Sequence, residues 1–353
     1  MASEYIMCAD QRFLGRAAAE IATASGDERI QCRYLTHSAY LISAAAAPDA
    51  LLRRVTDTRP VFVYALFPVL FHTKYSSTAE LAIEIAKTIE KGRSFRIEVV
   101  REGSAAEGSA KTLEVELGTA IEGMGYAADL KSPKEVRVVV IIGSRVIAAG
   151  GSADTLIDTT ADYSRWGQRH TGLLNRAEMK IIEAFGLLGI DVPIGTQCID
   201  IGAAPGGWTR FLAKKGASVF AIDAAEMDYQ MLENECTVVN HNEPISGDAR
   251  IVHLKMGFEE AIGMLSGKRF GFAAIDMNVS PMESAAAASR ISALMEPGAP
   301  LLMTLKLCRP SDVGKMESIE DSLKGAYEGF IFRKLPHNRQ EITMLAYRKR
   351  KAD

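Results

Sequence analysis

The sequence predicts an α/β protein: an open, largely parallel sheet in the C-terminal half, preceded by small α+β units. Three observations predict it. From "NRAEMKIIEAFGLLG" onward, strand-length apolar runs alternate with helical segments, as successive strand-helix-strand units require. Before residue 150, shorter strands and helices alternate with turns. Between the two regions, "GGSADTLIDTTADYSRWGQRHTG" loses all periodicity and is rich in Gly, Ser, Thr and Asp, the composition of a linker or a substrate-facing loop. A chain of 353 residues also exceeds the usual domain size of roughly 50 to 200 residues.

The elements follow in order. "EYIMCA" reads as a strand, "GRAAAEIATA" as a helix and "RYLTHSAYLISAA" as a strand pair, followed by a helix at "DALLRRV" and a strand at "VFVYALFPV". Next come helix "TAELAIEIAKTIEKG", strand "FRIEVVRE", helix "KTLEVELGTAIEGMG", and strands "EVRVVVII" and "RVIAAGG", split by a Gly143-Ser144 turn. In the C-terminal half, strands are expected at 197–201, 217–222, 251–256, 271–276 and 300–306, with closing strands near 329–334 and 341–347. Ligands of such sheets sit outside the carboxyl ends of the strands.

Composition narrows the class. Hydrophobic residues make up 48% and charged residues 24%, the balance of a folded chain and not of a disordered one. No apolar stretch approaches the roughly 20 residues that span a bilayer, and the N-terminus lacks a secretion-signal pattern. A cytosolic protein without membrane contact is expected. The five scattered cysteines (Cys8, Cys32, Cys198, Cys236, Cys308) contain no C-x-x-C pair and suggest buried thiols, with no disulfide framework and no metal site. Net charge is −3, yet the tail "YRKRKAD" gathers Arg348, Lys349, Arg350 and Lys351, either a solvated terminus or a nucleic-acid contact.

The most informative stretch is "CIDIGAAPGGWTRFL". Asp200 ends an apolar strand; Gly202, Gly206 and Gly207 bracket Ala203, Ala204 and Pro205 before a helix opens at Trp208. Missing side chains let a ligand approach main chain, and a helix start offers unpaired N–H groups. Asp223 ends the next strand, "ASVFAID", about 20 residues on, where a nucleoside-binding fold places an acceptor for ribose hydroxyls. A ligand-free tight turn explains the glycines singly; it explains the ordered strand, turn, helix, strand and acid less well.

The turn "DIGAAPGGW" resembles that of the FtsJ-type RNA ribose 2′-O-methyltransferases. The resemblance implies a Rossmann-like sheet that binds S-adenosyl-L-methionine, with Asn175, the segment Gly202 to Trp208, Asp223 and Asp276 around the cofactor. It also implies a Lys-Asp-Lys-Glu set, and each member is present: Lys180 in "NRAEMK", Asp276 in "AAIDMNVSP", Lys306 closing "LLMTLK" and Glu341 in "HNRQEITMLAYR". Singly, each is more often a surface charge or an ion-pair partner. Asn175 with Glu178 three residues on also reads as a capping box, and the spacing of four puts Arg176 and Lys180 on one helical face.

Transfer of a methyl group to a ribose hydroxyl needs a base within hydrogen-bond reach. Lys306 is assigned that role, with its pKa expected to be lowered by partial burial and the neighbouring cation Lys180. Asp276 would orient the amine, Lys180 would help hold the substrate, and Glu341 would anchor Lys180 and the ribose region.

The segments "YIMCADQRFLGRAAAEIA", "LNRAEMKIIEAF", "LKLCRPSD" and "HNRQEIT" further resemble the bacterial large-subunit rRNA cytidine methyltransferases of the RlmM group. That resemblance divides the chain into a ferredoxin-like domain at 1–72, a THUMP-like RNA-binding domain at 73–152, a linker at 153–172 and the methyltransferase domain at 173–353. The segment from 224 to 250 departs from the group: Met256 stands near the place of its adenine-contacting acid, with Asp248 just before the strand.

RNA is the expected partner and DNA is not, since the 2′-hydroxyl distinguishes the two; ribosomal RNA comes first and transfer RNA second. Arg176, Arg309 and Arg339 are candidate phosphate contacts, as are Arg210 and Arg333, with surface solvation the alternative for each. Trp166 and Trp208 could stack on bases, though packing is favoured for Trp208. A non-catalytic RNA-binding factor that keeps the fold is a competing reading. Methylation of a base nitrogen would need an aromatic N-P-P-Y-like motif where this chain has "DMNVSP".

Overall fold

The computed structural model describes residues 2–102, 109–158, 176–230, 232, 236–241, 243–245, 249–307, 314–335 and 337–350. The chain divides into two compact units, Met1–Ala161 and Asp162–Asp353.

The first unit runs β1 (Ser3–Ala9), α1 (Leu14–Ser25), β2 (Cys32–Thr36), β3 (Ala39–Ala44), α2 (Pro48–Asp57), β4 (Val63–Lys74), α3 (Thr78–Ala86), β5 (Phe95–Glu102), α4 (Ala110–Glu122), β6 (Glu135–Ile142), β7 (Arg145–Ser152) and β8 (Ile157–Asp158). Its sheet has the order β2-β3-β1-β4-β7-β6-β5, with β8 beside β4. The first six elements form a split β-α-β unit with β2-β3-β1-β4 antiparallel throughout, the ferredoxin-like arrangement. The division expected at 72/73 falls inside β4. That strand pairs with β1 through its first half and with β7 through its second, so a single long strand joins the two halves of the sheet. One apolar cluster accordingly draws on both halves, from Ile6, Leu41 and Phe67 to Val138 and Ile147. The outer strands approach each other where Tyr34 Oη donates to Glu102.

Helix α3 stops at Ala86, short of the expected residue 92. Thr88 is diverted from the helical ladder: its hydroxyl donates to Ile85 O and accepts from the buried Arg137 guanidinium, which also takes the Thr88 carbonyl. The Gly143-Ser144 turn closes the β6-β7 hairpin, with Gly143 at φ +57°, a conformation that suits glycine.

The second unit comprises α5 (Arg176–Leu188), β9 (Gln197–Ile201), α6 (Gly207–Lys214), β10 (Ser218–Ile222), β11 (Cys236–Val239), β12 (Ile251–Leu254), α7 (Phe258–Met264), β13 (Phe272–Ile275), α8 (Pro281–Ile291), β14 (Pro300–Lys306), α9 (Lys315–Leu323), β15 (Tyr327–Arg333) and β16 (Glu341–Arg348). The sheet order is β11-β12-β10-β9-β13-β14-β16-β15. Strands β9 to β14 are parallel and β16 is antiparallel to both neighbours. Central strands covered on both faces read as unbroken apolar runs, and Phe272 to Ile275 and Leu301 to Leu305 are almost entirely buried. Strand β11 lies in the segment after Asp223 where no strand was expected; it extends the edge beside β12.

Among the described residues no helix is long and apolar enough to cross a membrane, and no group of His, Cys, Asp and Glu could hold a metal ion.

Candidate functional site

The four charged residues singled out from the sequence converge at the carboxyl ends of β13 and β14. Antiparallel register places Lys306, the last residue of β14, opposite Glu341, the first residue of β16. Asp276 follows β13, and its N–H donates to Ile201 O at the end of β9. Lys180 lies one turn into α5. Its Nζ donates to Asp276 Oδ2 at 2.9 Å and to Glu341 Oε1 at 3.2 Å. Lys306 Nζ donates to Asp276 Oδ1 at 2.6 Å and to Glu341 Oε1 at 3.4 Å. Two ammonium groups thus share two carboxylates.

The pairs are shielded from solvent: side-chain exposure is 4% for Lys180, 11% for Asp276, 8% for Glu341 and 18% for Lys306. Burial pushes the carboxyls of Asp276 and Glu341 up, but Lys180 and Lys306 outweigh it, and both end below the ordinary carboxylate range. For Lys306, burial pushes the amine down, yet Asp276 and Glu341 prevail and hold it above the ordinary lysine value. This corrects the expectation that the second lysine would lower it. Both carboxylates lie within hydrogen-bonding distance of Lys306 Nζ, and opposite charges at that range favour the charged amine.

Several contributors to this cluster carried no sequence signal. Thr304, buried in β14, donates its hydroxyl to Asp276 Oδ1. Backbone N–H groups of Arg339 and Gln340 donate to Glu341 Oε2 at 2.6 and 3.1 Å. The buried Lys334 ammonium donates to the carbonyls of Asn338 and Arg339, and Asn338 Nδ2 donates to Thr343 Oγ1 at 2.9 Å. The turn leading into Glu341 is therefore pinned from within.

The glycine-rich turn joins β9 to α6. Gly202 has φ +78°, and a Cβ there would lie 2.9 Å from the carbonyl oxygen of Asp276. The space that Gly202 leaves open is filled by the chain itself, so the turn is seated directly on the backbone of the acid. Gly206, at φ +116°, faces the Met227 and Leu232 side chains. Ala204 N donates to Asp223 Oδ2 at 3.0 Å and Ala225 N donates to Asp223 Oδ1 at 2.9 Å. Below the turn, Asp200 is fully buried. Thr209 donates to its Oδ2, its Oδ1 has no hydrogen-bond partner among the described residues, and burial pushes its carboxyl up to about 7.

Other candidates fall elsewhere. Trp208 is 3% exposed, and its Nε1 donates to Ala177 O; the indole packs in the core and locks α5 against α6, so only its backbone lies in the turn. Ala203 and Gly207 are buried, whereas along the turn to the start of α6 Ala204 is partly buried and Pro205 exposed. Arg210 makes a two-pronged ion pair with buried Glu178, which occupies the arginine expected to face phosphates and the glutamate expected to cap α5. Arg176 and Arg339 are exposed and Arg333 is partly buried. Met256 is buried beyond β12. In the basic tail, Arg348 donates to Ser292 O and Ala326 O and is a structural residue. Asn175, Trp166, Asp248, Cys308, Arg309 and Lys351 lie outside the described residues.

Residues 173–313 match the family described as FtsJ-like methyltransferase. The chain is similar to the ribosomal RNA large subunit methyltransferase M of Hahella chejuensis, at 24% identity over 202 residues, covering 53% of this chain and 51% of that protein. A shorter match, 42% over 64 residues, covers 17% of this chain and 27% of the ribosomal RNA large subunit methyltransferase E of Acidiphilium cryptum. The chain spans only about half the length of the first of these relatives and of a second methyltransferase M, from a Marinomonas species. Among solved structures, TrmN from Thermus thermophilus overlays 98% of this chain and 100% of its own at 14% identity, with a TM-score of 0.37, too low to bear on function. Residues 173–313 of this chain form an FtsJ-like methyltransferase domain.

Proposed function

We propose that the chain is an S-adenosylmethionine-dependent RNA ribose 2′-O-methyltransferase acting on large-subunit ribosomal RNA. The observation that carries this reading is the pair of lysines sharing Asp276 and Glu341 beside the glycine-rich turn. The family match and the names of the curated relatives support it.

The residues present fit the cofactor. A carboxylate, Asp223, stands partly exposed at the end of β10, held by amides of the turn and of the following segment, where it can accept from a sugar diol. The buried orphan oxygen of Asp200 lies at the base of the same turn. Gly202 to Trp208, Asp223 and Asp276 would hold the cofactor, with Asn175, outside the described residues, a further candidate. When bound, S-adenosylmethionine supplies an electrophilic methyl group.

This chain's own side chains then handle the proton. Lys306, in its neutral form, takes the proton of the ribose 2′-hydroxyl as the oxygen attacks. Asp276 holds the amine 2.6 Å from its Oδ1 and fixes its direction. Lys180 bridges both carboxylates and keeps them apart from a free rotamer search, so the base is oriented before substrate arrives. Glu341 fixes Lys180 and the rim on which the ribose rests. The exposed Arg176 and Arg339 contact phosphates, with Arg309 a further candidate, and a reaction at a 2′-hydroxyl makes RNA the substrate and not DNA.

The test is Lys306→Ala, assayed with tritium-labelled cofactor and ribosomal RNA from cells lacking the gene. Methyl transfer is expected to vanish while calorimetric binding of S-adenosylhomocysteine persists. Full transfer by the variant would refute the assignment, and ribose-methylation maps of RNA with and without the gene would identify the nucleotide.

A further inference from the structure

The strand β12 reads "IVHL", and His253 is its only polar residue, with no exposed surface. Burying an imidazole is unfavourable unless both ring nitrogens are hydrogen-bonded, and here both are. Nε2 lies 2.9 Å from the backbone carbonyl of Asp223 and Nδ1 lies 2.9 Å from Tyr229 Oη. A carbonyl oxygen only accepts, so Nε2 carries the proton; in the neutral ring Nδ1 is then an acceptor for the Tyr229 hydroxyl, which also lies against the Glu226 carboxylate.

The consequence lies at the end of β10. The parallel ladder between β10 and β12 ends at Ile222 and Leu254, so the carbonyl of the next residue, Asp223, has no strand neighbour to donate to it. His253 supplies that donor from within the adjacent strand. On its other side, His253 fixes Tyr229, and thereby the segment from 224 to 229. That segment packs on the glycine-rich turn through Met227, which faces Gly206, and through Asp228 N, which donates to Pro205 O at 2.9 Å. One buried ring therefore ties together the acid at the end of β10, the segment beyond it and the turn.

We infer that His253, with Tyr229 as its partner, is a positioning residue for the nucleoside of the cofactor: it holds Asp223 and the 224–229 segment in the form that receives the ribose. The inference rests on the function proposed above. His253 touches no ligand itself; it acts through Asp223.

Direct binding tests it. Calorimetric titration with S-adenosylhomocysteine is compared between the wild-type chain, His253→Leu and Tyr229→Phe, each at a temperature below its own melting transition. Loss of one positioning hydrogen bond corresponds to a dissociation constant weaker by about tenfold, and both variants are expected to show it. Unchanged affinity in a folded variant would mean that the pair serves stability alone and would overturn the inference. Should His253→Leu fail to fold, Tyr229→Phe, which removes only a hydroxyl, decides the matter. Nitrogen NMR of the unliganded chain gives an independent readout: His253 is expected as the Nε2–H tautomer, and the Nδ1–H tautomer would count against the proposal. Failure of the wild-type chain to bind the cofactor product would instead overturn the proposed function, and this inference with it.

Discussion

Glu183 on α5 grips His337 in the turn before β16. The buried carboxylate contacts both the imidazole Nδ1 and the backbone N–H of His337. One turn earlier on the same helix, Lys180 grips Glu341, the residue four places after His337. Helix and turn are thus fastened twice, and the outer fastening fixes how far Lys180 can move from Glu341. The two pKa shifts pull in opposite senses: the hydrogen bond to the Glu183 carboxylate raises His337 above the ordinary histidine value, as a charged partner does, whereas burial raises Glu183 despite relief from His337.

His337→Ala should therefore leave the buried Glu183 carboxylate without its imidazole partner; with the His337 side chain 38% exposed, solvent screening holds the cost to about 1 kcal/mol. A histidine raised in the folded state stabilises fully below its unfolded value of about 6.5 and loses that contribution as pH rises through the folded value. Urea melts of wild type and variant should differ more at about pH 6 than at about pH 9. A pH-independent difference would show that the pair acts by packing alone. Loosening of the turn should also lower kcat, by on the order of tenfold to a hundredfold, with little change in affinity for S-adenosylhomocysteine.

The raised Lys306 amine sets the pH dependence of the reaction. A base that is protonated in the resting site acts only through its neutral fraction, and that fraction grows tenfold per pH unit below the pKa. With the folded value above the ordinary lysine value of about 10.4, single-turnover rates should climb steadily from about pH 7 to about pH 9.5 without levelling. A plateau near neutrality would mean that substrate and cofactor lower the amine far more than the two carboxylates raise it, or that another group is the base.

Gly202 is where the cofactor turn and the catalytic acid share space. Gly202→Ala would force a side chain into a left-handed backbone conformation and place its Cβ 2.9 Å from Asp276 O. The combined cost is about 3 kcal/mol, and the only relief is to separate the turn from Asp276. Both melting temperature and cofactor affinity should fall. Gly15→Ala is the control, since a Cβ there meets nothing within 4 Å in α1, and it should be neutral or slightly stabilising.

Much of the second unit was legible because its chemistry is written at strand ends. Asp276, Lys306 and Glu341 each terminate or open an apolar run, and the sheet order then brings those ends to one rim. The supporting groups were not legible. Glu183 and His337 are 154 residues apart, and neither departs from an ordinary surface pattern. No pattern in the sequence marks Lys334, although its ammonium is buried against backbone carbonyls. The direction of the Lys306 shift was misread because proximity to Lys180 follows from the motif, whereas the shared carboxylate oxygens follow only from geometry. In the first unit the strands were legible and their grouping was not: nothing in "VFVYALFPVLFHTK" says that its two halves pair with different neighbours.

The carboxylates of the site should also govern its acid stability. Asp276 and Glu341 titrate below the ordinary range in the folded chain. A depressed folded value contributes stability above the unfolded value, about 3.9 for Asp and 4.3 for Glu, and loses it as pH falls through the folded one. The second unit should accordingly weaken below about pH 4. In Asp276→Asn this acid-dependent loss should shrink, because one of the two titrating partners is gone, while stability near neutrality falls as Lys180 and Lys306 are left to share Glu341 alone. Melting curves of both proteins between about pH 3 and about pH 7 provide the check. Parallel curves across that range would mean that the buried charges of this cluster are not those that the acid limb reports.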